Sequence, residues 1–331
     1  MATNVPFDIA AAADLTDLSI QKIFLKSGTD LQQYHKEYYN VEQVSDYITK
    51  DSSVTSVDAF SKIAENGNIP ASSPHQGFDK TYTQSFFSGM LRVTRPMWRY
   101  GISTRKLQGL VVELRKNAIR FKETVLANVL NNATSTSYTE TTGKLSYTVT
   151  NTGGDGLAPQ SSAHTREDGG SNWSNVISDG TTDNMDFDYD AWKAARKTAA
   201  AILGGIGEEI DVDIDTIIVK KSSSAHHRAQ EVLAAIARGE IPASANNDGA
   251  AGGTFKILAV PYLTSDTAWG AFDSKMLSDK MGLQIKVGMP LTLDPQFIDY
   301  DNKEIKYSAG EDFAYGFNDL RNFLWSTGLN A

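Results

Sequence analysis

The feature that most constrains the fold is a long amphipathic segment in the first half of the chain, TRKLQGLVVELRKNAIRFKETVLANVLNN. Apolar residues recur in it at spacings of three and four, which is the pattern of a helix with one buried face. They are Leu107, Val111, Leu114, Ala118, Phe121, Val125 and Val129. Ser103 or Thr104 supplies the N-cap. We predict a helix over about residues 103–131, about 40 Å long at the standard rise per residue.

The other segments alternate between strand and helix patterns. We predict a half-buried ribbon in TYTQSFFSGMLRVTRPMWRYG, a strand pair around KLSYTVT, and strands in DTIIVKK and GTFKILAVPYL. Helices are predicted in DYDAWKAARKTAAAILGG, between Asp188 or Asp190 and Gly204–Gly205, and in SSSAHHRAQEVLAAIARGE. TAWGAF is interpreted as an aromatic turn, and LQIKVGM, QFIDYD, EIKYSAG and DFAYGF as strands. The class is α+β with one dominant helix.

Residues 40–80 have a different composition from the segments around them. They are rich in Ser and Thr, short of large aliphatic side chains, and end in a turn-rich stretch with Pro70, Pro74 and Gly77. Such a segment cannot bury a core of its own. We expect an arm that lies on another surface.

The charge balance and the absence of cysteine exclude several classes of protein. The 331-residue chain has a net charge of −9, whereas binding to nucleic acid or to an anionic membrane needs a basic surface. Without cysteine there are no disulfides, thiolate zinc sites or cysteine nucleophiles. The N-terminal stretch carries Asp8, Asp14 and Asp17 where a signal peptide is apolar, and no apolar run approaches about 20 residues. We expect a soluble protein made inside the cell.

The loop DGLAPQSSAHTREDGGSNWSN gathers residues that also occur in active sites: His164, Arg166, Glu167 and Asp168. Acid–base catalysis needs fixed geometry and a shifted pKa, which rigid and partly buried walls provide. Glycine pairs at 153–154 and 169–170 flank this loop. They favour a mobile or interface loop over an active site.

An acidic cluster follows at Asp183, Asp186, Asp188 and Asp190. It is not an EF-hand, because position six of the loop is Ala191 rather than glycine and position twelve is Lys197 rather than glutamate. Compensation of a helix dipole explains it better. His227 and Glu231 share a helix face, but no third ligand accompanies them. We therefore predict no metal and no cofactor, and keep a metal-dependent hydrolase built on this cluster and His164 as an alternative.

Two stretches of opposite charge stand far apart in the sequence. Between residues 80 and 106 there are six cations and no acid: Lys80, Arg92, Arg95, Arg99, Arg105 and Lys106. Between residues 167 and 190 there are seven acids and no lysine or arginine. The two stretches pair either within one chain or between copies, where complementary charge fixes register more than affinity. Both interpretations stay open.

The order of these segments resembles the major capsid proteins of tailed bacteriophages, with the fold first described for phage Hong Kong 97. The resemblance runs over about residues 78–328. It rests on IRFKETVLANVLNNA, on DGLAPQSSAHTREDGGSNWSN, on DYDAWKAARKTAAAILGGIGEEIDVDIDTIIVKKSSSAHHRAQEVL, on KILAVPYLTSDTAWGAFD and on GEDFAYGFNDLRNFLWSTG. Each piece is weakly specific, whereas the ordered set is much more so.

This resemblance implies a division of the chain into named parts. They are an N-arm at 1–38, an extended loop (E-loop) at about 39–82, and a peripheral (P) domain at 83–132 that contains the long spine helix. An axial (A) domain follows at 133–285, P-domain strands at 286–312, and a C-terminal segment on the A-domain side at 313–331. The Asp155–Asn175 loop is then a connector or a contact between subunits.

The implied function is a structural one, with no enzymatic activity: self-assembly into an icosahedral shell that encloses double-stranded DNA. The implied partners are further copies in hexamers and pentamers, a scaffolding protein that is separate or already cleaved, a portal and a decoration protein. DNA is contacted weakly, no membrane is involved, and the virion is assembled in the host cytoplasm. Lys50, Lys62 and Lys80 lie near the E-loop, but no motif assigns an isopeptide crosslink and none is expected.

The hypothesis for contacts between subunits names the E-loop and the charged stretches. Its residues are Pro70, Pro74, Lys80, Arg92, Arg95, Arg99, Arg105, Lys106, Asp183, Asp186 and Asp188. The alternatives are an encapsulin-like compartment of the same fold, the metal-dependent hydrolase and a monomeric binding module.

Overall fold

A computed structural model describes most of the chain. It covers residues 20–26, 31–56, 62–63, 68–69, 71, 75–94, 96–97, 104–143, 145–238, 254–279, 281–299, 301–302 and 304–328. Mixed helix and sheet confirm the α+β class. A short helix, α1 (residues 20–26), precedes α2 (His35–Tyr38).

The predicted long helix is α3 (Thr104–Asn131), and it packs against the first sheet. That sheet has the order β1 (Asn40–Gln43), β10 (Leu283–Leu293), β12 (Glu304–Phe317), β11 (Phe297–Asp299), with β4 (Ser85–Thr94) also paired to β12. The β1–β10 pair is parallel and the other pairs are antiparallel. Leu126 and Val129 of the helix share a core with Ile285 and Phe313 of the sheet. Burial of this apolar stripe fixes the helix on the sheet.

The second sheet has apolar side chains on both faces. Its order is β13 (Phe323–Ser326), β9 (Trp269–Phe272), β7 (Thr216–Lys220), β8 (Lys256–Val260). The helices α4 (Tyr189–Ala200) and α5 (Ser224–Arg238) pack on Ile217 and Val219. Alternate residues such as Ile218 and Trp325 join the core of the first sheet. Because side chains alternate between the two faces of each strand, the second sheet packs against α4 and α5 on one face and against the core of the first sheet on the other.

Two hairpins complete the described fold. β2 (Ile48–Ser56) and β3 (His75–Thr83) form a two-stranded antiparallel sheet of their own. β5 (Ser137–Thr142) and β6 (Leu145–Thr150) form the second hairpin, directly after the long helix. The first hairpin lies in the polar segment that we expected to extend away from the core.

Three sequence predictions need correction. TAWGAF is not a turn, because residues 269–272 form the buried strand β9, between β7 and β13. Helix α4 ends at Ala200 rather than at Gly204–Gly205. The segments EIKYSAG and DFAYGF are one continuous strand, β12. It pairs with β11 at its start, with β4 from Glu304 to Phe313, and with β10 from Ala309 to Phe317. None of the described helices is long and apolar enough to span a membrane.

Candidate functional site

The Asp155–Asn175 loop is packed into the body of the subunit at its centre. His164 is 2% exposed, and its ring stacks on Trp173 with centroids 4.5 Å apart. Two backbone hydrogen bonds join the same residues, of 2.9 and 3.0 Å. The His164 Nδ1 atom lies 2.7 Å from a carboxylate oxygen of Asp155. The flanking glycines favour a mobile or interface loop. These contacts fasten the loop at His164 and Trp173, whereas residues 168–172 are exposed.

The carboxylate of Asp155 is ionised in this setting. Burial opposes its ionisation, but the hydrogen bonds from His164 and from the Leu157 N–H outweigh burial and lower the pKa of Asp155. These two hydrogen bonds therefore stabilise the ionised Asp155 carboxylate at the start of the loop.

A second buried network closes the same loop from the C-terminal side. Arg321 Nη2 lies 2.7 Å from Glu167 Oε2, and Arg321 Nη1 lies 2.6 Å from Asp319 Oδ2. Its guanidinium also lies over the Trp173 ring, 5.6 Å from the centroid. Burial disfavours the cation, but the two carboxylates outweigh it and raise the pKa of Arg321. Arg321 thus ties the loop to the turn before β13.

These residues are arranged for packing rather than for catalysis. The space that His164, Glu167, Trp173 and Arg321 enclose together measures about 10 Å³, the size of a single water molecule. His164 Nε2 is buried and has no hydrogen-bond partner within the described residues, so no hydroxyl nucleophile lies beside it there. The loop has the composition of an active site without access for a substrate.

The acidic cluster lies at the N-terminus of helix α4 and caps it. Asp188 is the N-cap of α4, and its side chain accepts a hydrogen bond of 2.7 Å from the Ala191 N–H. Asp186 lies 3.7 Å from Arg228 of α5. Asp183 is placed by a backbone bridge to Ser178. In the part of the chain that the structure describes, no three His, Asp or Glu side chains are grouped so that they could hold a metal ion.

The basic stretch does not pair with the acidic stretch among the described residues. Lys80 Nζ donates to the Thr152 carbonyl at 2.6 Å, and Arg92 lies 2.8 Å from Glu304 on the neighbouring strand β12. Lys106 is exposed on the first turn of α3. Arg95, Arg99, Pro70, Pro74 and the side chain of Arg105 lie outside the described residues. Internal pairing of the two stretches therefore does not account for the described charges.

Exposed apolar side chains lie together in two places, and others are spread over the rest of the described surface. On the hairpin and in the segment between its strands, Tyr47, Ile48, Ile63 and Ile69 are between 41% and 83% exposed. The second place is a groove of about 560 Å³ between β4, the middle of α3 and the β5–β6 hairpin. Phe86 and Leu145 at this groove are 61% and 73% exposed. The structure thus leaves one set of apolar side chains at the hairpin and another at the groove exposed to water.

The groove explains why part of the predicted helix face is not buried. Leu107, Val111, Val125 and Val129 are fully covered. Leu114, Ala118 and Phe121, from the middle of the same stripe, line the groove instead. The amphipathic pattern identified the stripe, but it does not distinguish burial within one subunit from burial by a neighbour.

The fold and these surfaces define a structural subunit whose buried polar clusters hold its loops in place. The sequence model of the phage capsid protein family matches residues 79–326, and the chain belongs to that family. It is a bacteriophage structural protein of the virion capsid, and the predicted recognition and fold are confirmed.

Several solved structures are similar to this chain. One from Mycobacterium phage Patience is 12% identical, with a TM-score of 0.52, covering 99% of this chain and 90% of that one. One from Mycobacterium phage Bobi is 12% identical, with a TM-score of 0.47 and 91% of each chain covered. A virus-like particle from Pyrococcus furiosus is 8% identical, with a TM-score of 0.47, covering 93% of this chain and 98% of that one. No curated protein matches the sequence.

Proposed function

We propose that the chain is the major capsid protein of a tailed phage, which self-assembles through hexamers and pentamers into an icosahedral shell around double-stranded DNA. The observation that carries this proposal is the pair of unfilled apolar surfaces on one chain. The β2–β3 hairpin presents exposed Ile48 and Tyr47, and the groove presents exposed Phe86 and Leu145. An exposed apolar patch on the hairpin segment and a concave patch elsewhere on the same subunit fit a head-to-tail contact. Such a contact forms rings when its rotation closes.

The proposed parts of the subunit follow from the resemblance. Residues 39–82 act as the E-loop, α3 is the spine of the P domain, and the sheet that carries α4 and α5 forms the A domain. The net charge of −9 supports a lining that contacts packaged DNA weakly. Scaffolding, portal and decoration proteins are proposed as separate partners, and assembly is proposed in the host cytoplasm.

Contacts between subunits are proposed at the charged residues that the sequence singled out. Lys106 is exposed on α3, and Arg92 keeps an exposed guanidinium beside Glu304. Arg95, Arg99, Arg105, Pro70 and Pro74 complete the proposed basic and E-loop contacts, and Asp183, Asp186 and Asp188 the acidic ones. Complementary charge of this kind sets register between copies.

The test is negative-stain electron microscopy of the full-length chain, expressed alone and with its neighbouring genes. Closed shells or rings of five and six subunits are the expected result. Phe86→Ser should reduce shell yield at least fivefold, whereas Phe297→Ser, which removes an equally exposed phenylalanine outside the groove, should leave it unchanged. A persistent monomer under both conditions would overturn the proposal. Shells that contain enzyme cargo and no nucleic acid would instead identify an encapsulin-like compartment.

A further inference from the structure

The β2–β3 hairpin is held partway along its strands by a side chain from a distant part of the sequence. Asn318 follows directly after β12 and is 7% exposed. Its side-chain NH₂ donates to the carbonyl of Phe78 at 3.0 Å and to the carbonyl of Asp51 at 3.5 Å. Phe78 lies on β3 and Asp51 lies on β2. One amide group thus binds both strands of the hairpin.

A second contact joins the hairpin to another segment. Lys80 of β3 donates from Nζ to the carbonyl of Thr152, 2.6 Å away, in the segment that follows β6. Burial lowers the pKa of Lys80, and the nearby Asp155 carboxylate acts in the opposite direction. A partly buried lysine amine that donates to a carbonyl has less freedom to move than a fully solvated one.

Gly154 allows the segments to approach each other. Its N–H donates to the Asn318 carbonyl at 3.0 Å. A Cβ atom at this position would lie 2.1 Å from Asn318 Oδ1 and 2.6 Å from the Cβ of Phe78. Any other residue here would separate Asn318 from the hairpin. Lys80, Thr152, Gly154 and Asn318 are together called the hairpin clamp.

The geometry points to a positioning role: we propose that Lys80 and Asn318 fix the direction of the β2–β3 hairpin relative to the subunit before any neighbour binds. A two-stranded hairpin has little stability alone, so its orientation depends on such contacts. β2 continues five residues beyond Asp51, to Ser56, a distance of about 17 Å. A rotation of about 10° at the clamp therefore moves that end of the strand by about 3 Å. The consequence for assembly rests on the proposed function, whereas the clamp itself can be tested on the unassembled chain.

The absence of cysteine makes a distance measurement direct. Cysteine is introduced at Gln76 and Gln230, which are exposed on β3 and α5, and both positions are spin-labelled. The full-length chain is kept unassembled during the measurement. We expect a narrow distance distribution, whose width at least doubles in Asn318→Ala and in Lys80→Met. Lys80→Arg, which keeps a cationic donor, should recover most of the original width. Lys50→Met removes an exposed lysine that pairs with Asp79 within the same hairpin, and it should change nothing.

The outcomes separate the clamp from the proposed function. Unchanged widths in folded Asn318→Ala and Lys80→Met would overturn the clamp, as would an equal broadening in Lys50→Met. If Asn318→Ala does not fold, Lys80→Met and its rescue by Lys80→Arg decide the question. Shell formation is scored separately by electron microscopy. A wild-type chain that never forms shells would reject the proposed function. In such a chain a broad distance distribution would overturn the clamp as well, whereas a narrow one would leave the clamp standing.

Discussion

The imidazole of His164 lies face to face with the indole of Trp173, with an angle of 21° between the two rings. The pair is buried, and Asp155 holds the imidazole from the edge. A histidine beside a carboxylate is also the arrangement of a catalytic dyad. Here the stacked ring and its Nδ1 atom join His164 to Trp173 and to Asp155 within one loop, so the arrangement stabilises the subunit.

This interpretation predicts a large loss of stability when the imidazole is removed. His164→Ala removes the aromatic stacking and leaves the buried Asp155 carboxylate without its partner, at a cost of about 2–4 kcal/mol. Urea denaturation of the unassembled chain measures the free energy of unfolding. His227→Ala, at an exposed position of α5, is the control and should stay within about 0.5 kcal/mol of wild type. Equal effects of the two substitutions would contradict the structural role.

Acid should weaken the same contact. Because the pKa of Asp155 is lower in the folded chain, its ionised form stabilises the fold above the unfolded pKa of about 3.9. That contribution is lost as the pH falls through the folded value. Thermal unfolding between pH 7 and pH 3 should show a steeper decline for wild type than for Asp155→Asn. A parallel decline in the two proteins would show that Asp155 is not linked to stability.

The acidic cluster gives a prediction that separates capping from metal binding. Asp188→Ala removes the N-cap of α4 and should cost about 0.5–2 kcal/mol. Asp188→Ser keeps a capping oxygen and removes the carboxylate, so it should retain most of the stability. Denaturation with and without a chelator is the measurement. Two results together would favour a bound metal: the chelator lowers the stability of wild type as much as Asp188→Ala does, and Asp188→Ser is no more stable than Asp188→Ala.

The elements that the sequence predicts well are those with one dominant apolar face. Helix α3 follows from its stripe of Leu107, Val111, Val125 and Val129, and the strands β7 and β8 follow from short apolar runs. Trp269 was assigned to a turn because the four-residue strand β9 is too short for alternation to show. Burial on both faces also removes alternation, since every residue is then apolar or small.

The buried polar contacts could not be predicted, because each joins residues that are far apart in the sequence. The sequence singles out Lys80 as a charge, but nothing in it points to the Thr152 carbonyl as its partner. Glu167 was singled out without Arg321, its partner 154 residues later. Sequence patterns report local periodicity, whereas these pairs depend on how the two sheets are joined.

Arg92 allows intramolecular pairing to be distinguished from pairing between copies. Its contact with Glu304 is partly exposed and should contribute no more than about 1 kcal/mol to folding. If Arg92 acts only within the chain, the double variant Arg92→Glu with Glu304→Arg should assemble like wild type. If it acts between copies, as proposed, the double variant should assemble poorly, and the defect should grow as salt is lowered. Light scattering during assembly provides the measurement.

The contact between His35 and Glu123 gives the most sensitive test of how the chain before β1 is held to the spine helix. Glu123 is fully buried on α3 and accepts from the His35 backbone N–H at 3.2 Å, while His35 Nδ1 lies 2.6 Å from its other oxygen. Removing one partner of a buried pair costs about 3–5 kcal/mol, so Glu123→Ala should be severely destabilised. Glu123→Gln keeps the volume and one acceptor and should lose less.

The matched control lies on the same helix. Glu113 contacts Lys116 at 3.3 Å on the exposed face, and Glu113→Gln should change stability by less than about 0.5 kcal/mol. Of the two glutamates, Glu123 is the one that contacts His35. Hydrogen exchange should therefore show that Glu123→Ala exposes the amides of His35–Tyr38 before those in the middle of α3. Loss of protection along all of α3 at once would mean that Glu123 supports the helix itself rather than the chain packed on it.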